Sequence, residues 1–211
     1  MNKEHIDRTT FIGGSDIPAV LGLSRWETPL SLWAQKTGRL TKDLSGNEAV
    51  ELGEELEEFV SRKFTKKTGI KLRRDERGFR HPKYDYMLAH IDRMVVGEDA
   101  VFEAKTCSAW KEKEWAGEDI PQEYVLQLMW YLGIVGKRTG YIAVLIGGQK
   151  FVWKQIEFDA SLFAEMVEKA REFWEEFVLK AEAPAATGDD NETLLALFPE
   201  SKRMTVFFNG Q

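Results

Sequence analysis

Apolar residues recur at helical spacing in four stretches of the chain and at strand-like spacing between them. In residues 48–67, Leu52, Leu56, Phe59, Val60 and Phe64 form one apolar stripe, and Gly69 is the expected stop. Glu57 borders that stripe beside Gly53, whereas Glu54 and Glu58 fall towards solvent. Upstream, residues 11–18 read as a turn opening a short helix, with Ser15 as N-cap, Pro18 in the first turn and Gly22 at the end. Thr28-Pro29 starts a second helix through Leu30, Leu32 and Trp33 that Gly38 closes. Residues 71–107 read as β, with extended runs at 86–95 and 100–106 joined by Val96-Gly97-Glu98-Asp99.

A helix starting near Pro121 has Val125, Leu128, Met129 and Leu132 as its core face, with Tyr124, Gln127 and Tyr131 on the adjacent one. Strands at 141–146 and 150–158 flank Gly147-Gly148. Asp159 caps a helix over residues 161–182 that turns Phe163, Met166, Val167, Ala170, Phe173, Trp174 and Phe177 inward. This order predicts an α/β (α+β) fold, a central mixed β-sheet flanked by helices. Composition shifts at Ala183-Pro184. Residues 1–182 are therefore expected to form one domain, and 183–211 a linker and tail with a docking turn of helix at 194–198.

The 211 residues include 43% hydrophobic ones, with seven Trp and thirteen Phe, enough for a substantial core. One cysteine, Cys107, excludes an intrachain disulfide framework and any metal site built from several thiolates. No apolar run is long enough to span a bilayer and no signal-peptide core is visible, so the expectation is a cytoplasmic protein with no membrane partner. Net charge is −6, yet residues 62–83 hold ten basic side chains against two acidic ones. Such a run is usually a solvated face, but it can also meet a phosphate backbone locally.

The candidate chemistry centres on Asp92 and on Glu103-Ala104-Lys105. Alternation puts Glu103 and Lys105 on one face of their strand, and Asp92 on the neighbouring run can reach that face. Two carboxylates and the Ala104 carbonyl form a hard oxygen set suited to Mg²⁺, with Mn²⁺ as a substitute. A lysine beside them can orient or deprotonate water, or offset charge on a phosphate. Taken alone, the pattern also fits a surface ion pair. Its apolar flanks (Ala89, Ile91, Val101, Phe102) favour central strands, where charge needs a reason. Glu57 is a candidate further metal ligand, and Gln127 a candidate contact for the attacking water or a phosphate oxygen. The Gly13-Gly14-Ser15 turn and Arg8 could hold a terminal phosphate, and Lys111 could touch a DNA backbone. His81 and His90 are read as structural or DNA-contacting residues rather than metal ligands.

Five motifs stand in order: R-x6-S at Arg8–Ser15 within IGGSDIPAVLG, G-E-E-L-E ending at Glu57, H-I-D at Asp92, E-A-K at 103–105, and Y-x-x-Q ending at Gln127. Together they resemble the YqaJ-like viral recombinase family, relatives of phage lambda exonuclease in the PD-(D/E)xK nuclease superfamily. The resemblance covers roughly residues 8–160 and implies a restriction-endonuclease-like core. It implies that Asp92, Glu103 and the Ala104 carbonyl hold the metal and that Lys105 acts on water. It also implies that Glu57 assists at a second metal, that Gln127 contacts the nucleophile or scissile phosphate, and that Arg8 and Ser15 grip a 5′-phosphate. The implied activity is 5′→3′ digestion of double-stranded DNA ends in phage or prophage recombination. It leaves a 3′ single strand for a single-strand annealing protein, with a ring-shaped trimer as the expected assembly. His90 departs from the family, standing where lambda exonuclease has a serine, and Thr106–Trp110 matches only loosely. Two further readings remain open: an endonuclease of the same fold, and a non-catalytic DNA-binding module.

Overall fold

The computed structural model describes residues 7–41 and 46–199. Five strands form one mixed sheet in the order β1 (Leu72–Arg74), β4 (Arg93–Val95), β5 (Ala100–Cys107), β6 (Thr139–Ile146) and β7 (Lys150–Glu157). A separate antiparallel pair joins β2 (Gly78–Arg80) to β3 (Leu88–His90). Only β5 and β6 run parallel, with Ala104 opposite Ala143, and α4 (Gln122–Val135) makes the crossover between them. The other ladders of the main sheet are antiparallel.

Helix α3 (Glu48–Thr68) covers one face of the sheet, with Val60 and Phe64 against Phe102, Tyr141 and Ala143. The opposite face, through Val101, Ile142 and Val144, meets α4. Behind α4 lie α1 (Ile17–Val20), α2 (Pro29–Lys36) and α5 (Ala160–Glu172). Layers on both sides explain why the central strands carry apolar side chains in both directions. They also correct the expected face of α4. Every residue from Leu126 to Leu132 is buried, whereas Val125 is only half-buried. On α3 the expected stripe narrows, since Leu52 and Phe59 are exposed while Leu56, Val60 and Phe64 pack on the sheet.

Two boundaries differ from expectation. The run at 86–95 is broken at Ile91-Asp92, because β3 belongs to the small sheet and β4 to the large one. The last long helix is regular only to Glu172 and continues as a π-helical turn, Phe173–Val178. There the Phe177 carbonyl accepts from Trp33 Nε1 at 3.0 Å. The tail does dock. Helix α6 (Asn191–Leu197) lays Leu194 and Leu197 on the core, and the fully buried Asp190 accepts from Thr28 Oγ1 and from Thr187. The last part of the predicted tail, residues 200–211, lies outside the described residues. No described helix is long and apolar enough to cross a membrane.

Candidate active site

The break between β3 and β4 creates the site. The β4–β5 ladder ends at Arg93 opposite Phe102, so the next stretch of β5 has no strand on that side. Asp92 fills the gap, and its Oδ2 accepts the Ala104 N–H at 2.8 Å. A residue's N–H and C=O leave a strand on the same edge, so the Ala104 carbonyl also faces the Asp92 side. Alternation along β5 turns Glu103 and Lys105 towards α4. Their side chains meet, with Lys105 Nζ 2.6 Å from Glu103 Oε1. The structure thus brings Asp92, Glu103, Ala104 and Lys105 together at the end of a buried strand.

Gln127 joins them from α4. Its amide nitrogen donates to Glu103 Oε1 at 3.0 Å and to the Tyr131 hydroxyl at 2.7 Å. The residue is buried, and its amide nitrogen ties the Glu103 carboxylate to the Tyr131 hydroxyl. Tyr131 was placed on the Gln127 face from sequence, but without a role at the site. Its ring packs so closely on Gly14 that a Cβ there would approach within 2.5 Å of it. Tyr124, one turn before Gln127, lies under the Lys105 ammonium, 5.5 Å from ring centroid to Nζ, and stacks on Trp115.

Glu57, expected as a further metal ligand either directly or through water, has its Oε1 accepting from Arg93 Nη1, while Arg93 Nη2 bonds Glu58 at 3.0 Å. Arg93 is buried on β4 and would otherwise be an uncompensated internal charge, so it holds Glu57 in place. Accordingly, among the described residues no group of three or more His, Cys, Asp or Glu side chains gathers as a metal site. What does gather is two carboxylates and a backbone carbonyl.

The electrostatics of this set ask for a cation. Glu103 is 4% exposed, and its Oε2 is buried without a hydrogen-bond partner. Such an atom is rare and costly in a native interior. Burial, then the neighbouring Glu103 and Glu57 charges, push the Asp92 carboxyl well above the usual range despite Lys105 and the Ala104 N–H. Burial alone would lower Lys105, but the Glu103 and Asp92 carboxylates outweigh it and hold the ammonium above its ordinary value. A hard divalent ion fits this donor set, being all oxygen with one unsatisfied anionic atom.

A second cluster lies at the N-terminal turn. Asp16 Oδ2, not Ser15, caps the turn by accepting the Gly13 N–H at 2.8 Å. Ser15 instead accepts from Arg8 Nη2 at 3.1 Å, and the same nitrogen reaches Asp16 Oδ1 at 3.1 Å. Lys36, 6% exposed, donates to Asp16 Oδ2 at 2.7 Å and to the Arg8 carbonyl at 2.8 Å. Arg8, Ser15, Asp16 and Lys36 line one cleft of about 680 Å³. Asp7 and Glu27 also line it, but they accept from Thr9 and Gln35. Asp16 and Lys36 were not singled out from sequence. The available signal was Lys36 itself, a cation three and four residues from Trp33 and Leu32 on an apolar helix face.

Lys111 is the remaining predicted contact. It lies in the 3₁₀ segment Ala109–Trp115, with Nζ 4.4 Å from the centroid of the Trp26 ring. His81 Nδ1 accepts backbone N–H groups of Lys83 and Tyr84, a turn-forming role. Part of the basic run is internally paired, Arg73 and Arg77 with Asp75 and Arg74 with Glu76.

Residues 5–141 match the YqaJ-like viral recombinase domain family. Over 186 residues the chain is 48% identical to the uncharacterised protein YqaJ of Bacillus subtilis (strain 168). That match covers 87% of this chain and 58% of the relative, so the chain spans little more than half of that protein's length. The fold is similar to the crystal structure of an alkaline exonuclease, LHK-Exo, from Laribacter hongkongensis. The TM-score is 0.69 at 21% identity, over 83% of this chain and 90% of that one. The same enzyme in complex with dAMP gives a TM-score of 0.68 at 22% identity, with the same coverage. A phage-related exonuclease from Haemophilus somnus 129PT gives 0.57 at 13% identity, over 81% of this chain and 96% of that one.

Proposed function

Since the chain belongs to the YqaJ-like viral recombinase family, we propose that it is a metal-dependent DNA exonuclease that digests duplex ends in the 5′→3′ direction. The observation that carries the reading is the buried, unpartnered Glu103 Oε2 beside Asp92 and Lys105. That arrangement is under-compensated as it stands and is made good by a divalent cation.

Asp92, Glu103 and the Ala104 carbonyl would hold the ion, Mg²⁺ with Mn²⁺ as substitute. When bound it supplies Lewis-acid stabilisation of charge on a scissile phosphate. Lys105, beside Glu103, would orient or help deprotonate the attacking water, or offset charge on a phosphate oxygen. Gln127 acts as a positioning residue: it fixes the Glu103 carboxylate and leaves Oε2 free. Glu57, tied to Arg93, contributes negative charge near Asp92 without joining the donor set.

Polarity follows from the cleft. Arg8 keeps 65% of its side chain exposed and shares Asp16 with Lys36, so it retains donors for an anion. With Ser15 it would bind the terminal 5′-phosphate. Tyr131 touches both clusters, packing on Gly14 and bonding Gln127, so a strand end gripped at one lies near the other. The product would be a 3′ single strand, suited to a single-strand annealing protein, and a ring-shaped homotrimer would keep the enzyme on the duplex.

The test is a linear duplex carrying a 5′-phosphate, labelled at either end of one strand, beside a closed circle. Early release of the 5′ label in Mg²⁺, no release in EDTA and an intact circle are expected. Cutting of the circle would indicate an endonuclease. Binding without cleavage across Mg²⁺ and Mn²⁺ concentrations would leave a DNA-binding module.

A further inference from the structure

Trp26 stands at the mouth of the Arg8–Ser15 cleft with 68% of its surface exposed, and the hydrolysis chemistry does not use it. A single exposed aromatic is ordinary. This one is presented by a fixed loop. The Trp26 and Glu27 N–H groups both donate to Ser24 Oγ, at 3.1 and 3.2 Å. Arg25 anchors the loop with two bonds to Glu114, at 2.8 and 3.1 Å, and one to Glu123 at 2.7 Å. Those partners lie on the 3₁₀ segment that follows β5 and on α4, the helix that also carries Gln127. The indole therefore has a set position relative to both clusters.

Lys111 Nζ lies over the ring, 4.4 Å from its centroid. The indole also lines the same cleft as Arg8 and Ser15. A flat apolar face beside an anion site matches one chemical object, a nucleotide, with phosphate on the donors and base on the ring.

We propose that Trp26, backed by Lys111, is the stacking platform for the first base of the strand whose 5′-phosphate occupies the cleft. This rests on the phosphate reading of that cleft. Stacking is tolerant of sequence because every base has a π-face, which suits an enzyme that must accept any end. The platform holds the leading base out of its pair while the next phosphate lies at the carboxylate centre.

The protein in EDTA, so that nothing is cleaved, is titrated into duplexes whose 5′-terminal base is 2-aminopurine, with a 5′-phosphate or a 5′-hydroxyl. The parent is expected to quench the probe in a phosphate-dependent way. Trp26→Ala should lose the quench and bind about tenfold more weakly, while Trp26→Phe keeps most of both. Circular dichroism of the alanine variant should match the parent, since the side chain is exposed. Unchanged quench and affinity in Trp26→Ala, with phosphate discrimination intact, would overturn the platform and leave the hydrolysis reading standing. No discrimination between phosphate and hydroxyl by the parent would overturn the cleft reading, and the platform with it.

Discussion

The strand-borne centre and the N-terminal cleft are both small sets of charged side chains, and they differ in how those charges are partnered. In the centre, Asp92 and Glu103 face a single lysine, and one carboxylate oxygen is left without a partner. In the cleft, Arg8 and Lys36 share the Asp16 carboxylate, while the other two lining carboxylates, Asp7 and Glu27, accept from Thr9 and Gln35. Buried charge without compensation is destabilising, so the unpartnered oxygen of the centre supports the proposed cation there. The exposed Arg8 guanidinium, with its neighbour Ser15, supports the proposed anion in the cleft. The two are connected through Tyr131, and a DNA end with its metal ion would satisfy both together.

The largest expected effects break the comparison at the centre. Glu103→Gln or Lys105→Ala should lower the cleavage rate by about 10²–10³-fold or more while leaving affinity for a duplex end in EDTA nearly unchanged. Gel-based rates and filter binding on the same preparations would check this. A parallel loss of end binding would mean that the variants had lost the fold rather than the chemistry.

A smaller effect is expected at the cleft. Arg8→Ala removes charge-assisted hydrogen bonds to a phosphate, about 10–100-fold in affinity for a 5′-phosphorylated end. Its affinity for a 5′-hydroxyl end should barely move, which competition between the two ends would reveal. Equal loss on both ends would make Arg8 a general backbone contact.

The smallest effect sharpens the sign of the centre. The Asp92 carboxyl is raised in the folded chain, so its contribution to stability is full below the unfolded value near 4 and is lost as pH rises through the raised one. Without metal, Asp92→Asn should therefore melt higher than the parent at neutral pH, by roughly a few degrees, and the gap should close on acidification. Added Mg²⁺ should stabilise the parent and not the variant. Melting curves across pH in EDTA would test this, and a gap that widens in acid would refute the assignment.

Much of this arrangement was legible in the sequence, and the exceptions share a cause. The Glu103/Lys105 pairing follows from strand period alone, the helix at 29–36 from its Thr28-Pro29 start and Gly38, and the helix at 48–68 from its apolar stripe and Gly69. Local pattern could not reveal that the apolar run around Asp92 divides between two sheets, because both halves are equally apolar. Nor could it reveal that Arg93 would claim Glu57, a contact across 36 residues. Ser15 was expected to cap its turn, a role that Asp16 takes, being the residue whose carboxylate reaches Gly13 while also meeting Lys36. Roles that depend on a long-range partner were the ones that pattern and propensity could not assign.

The most direct test of the two-site account is Mn²⁺ binding, followed by electron paramagnetic resonance, in the parent, Glu103→Gln and Arg8→Ala. The account predicts saturable binding in the parent, roughly tenfold or more weakened in Glu103→Gln and unchanged in Arg8→Ala. Equal Mn²⁺ affinity in the parent and Glu103→Gln would contradict it, since the cation would then be held by something other than the unpartnered carboxylate.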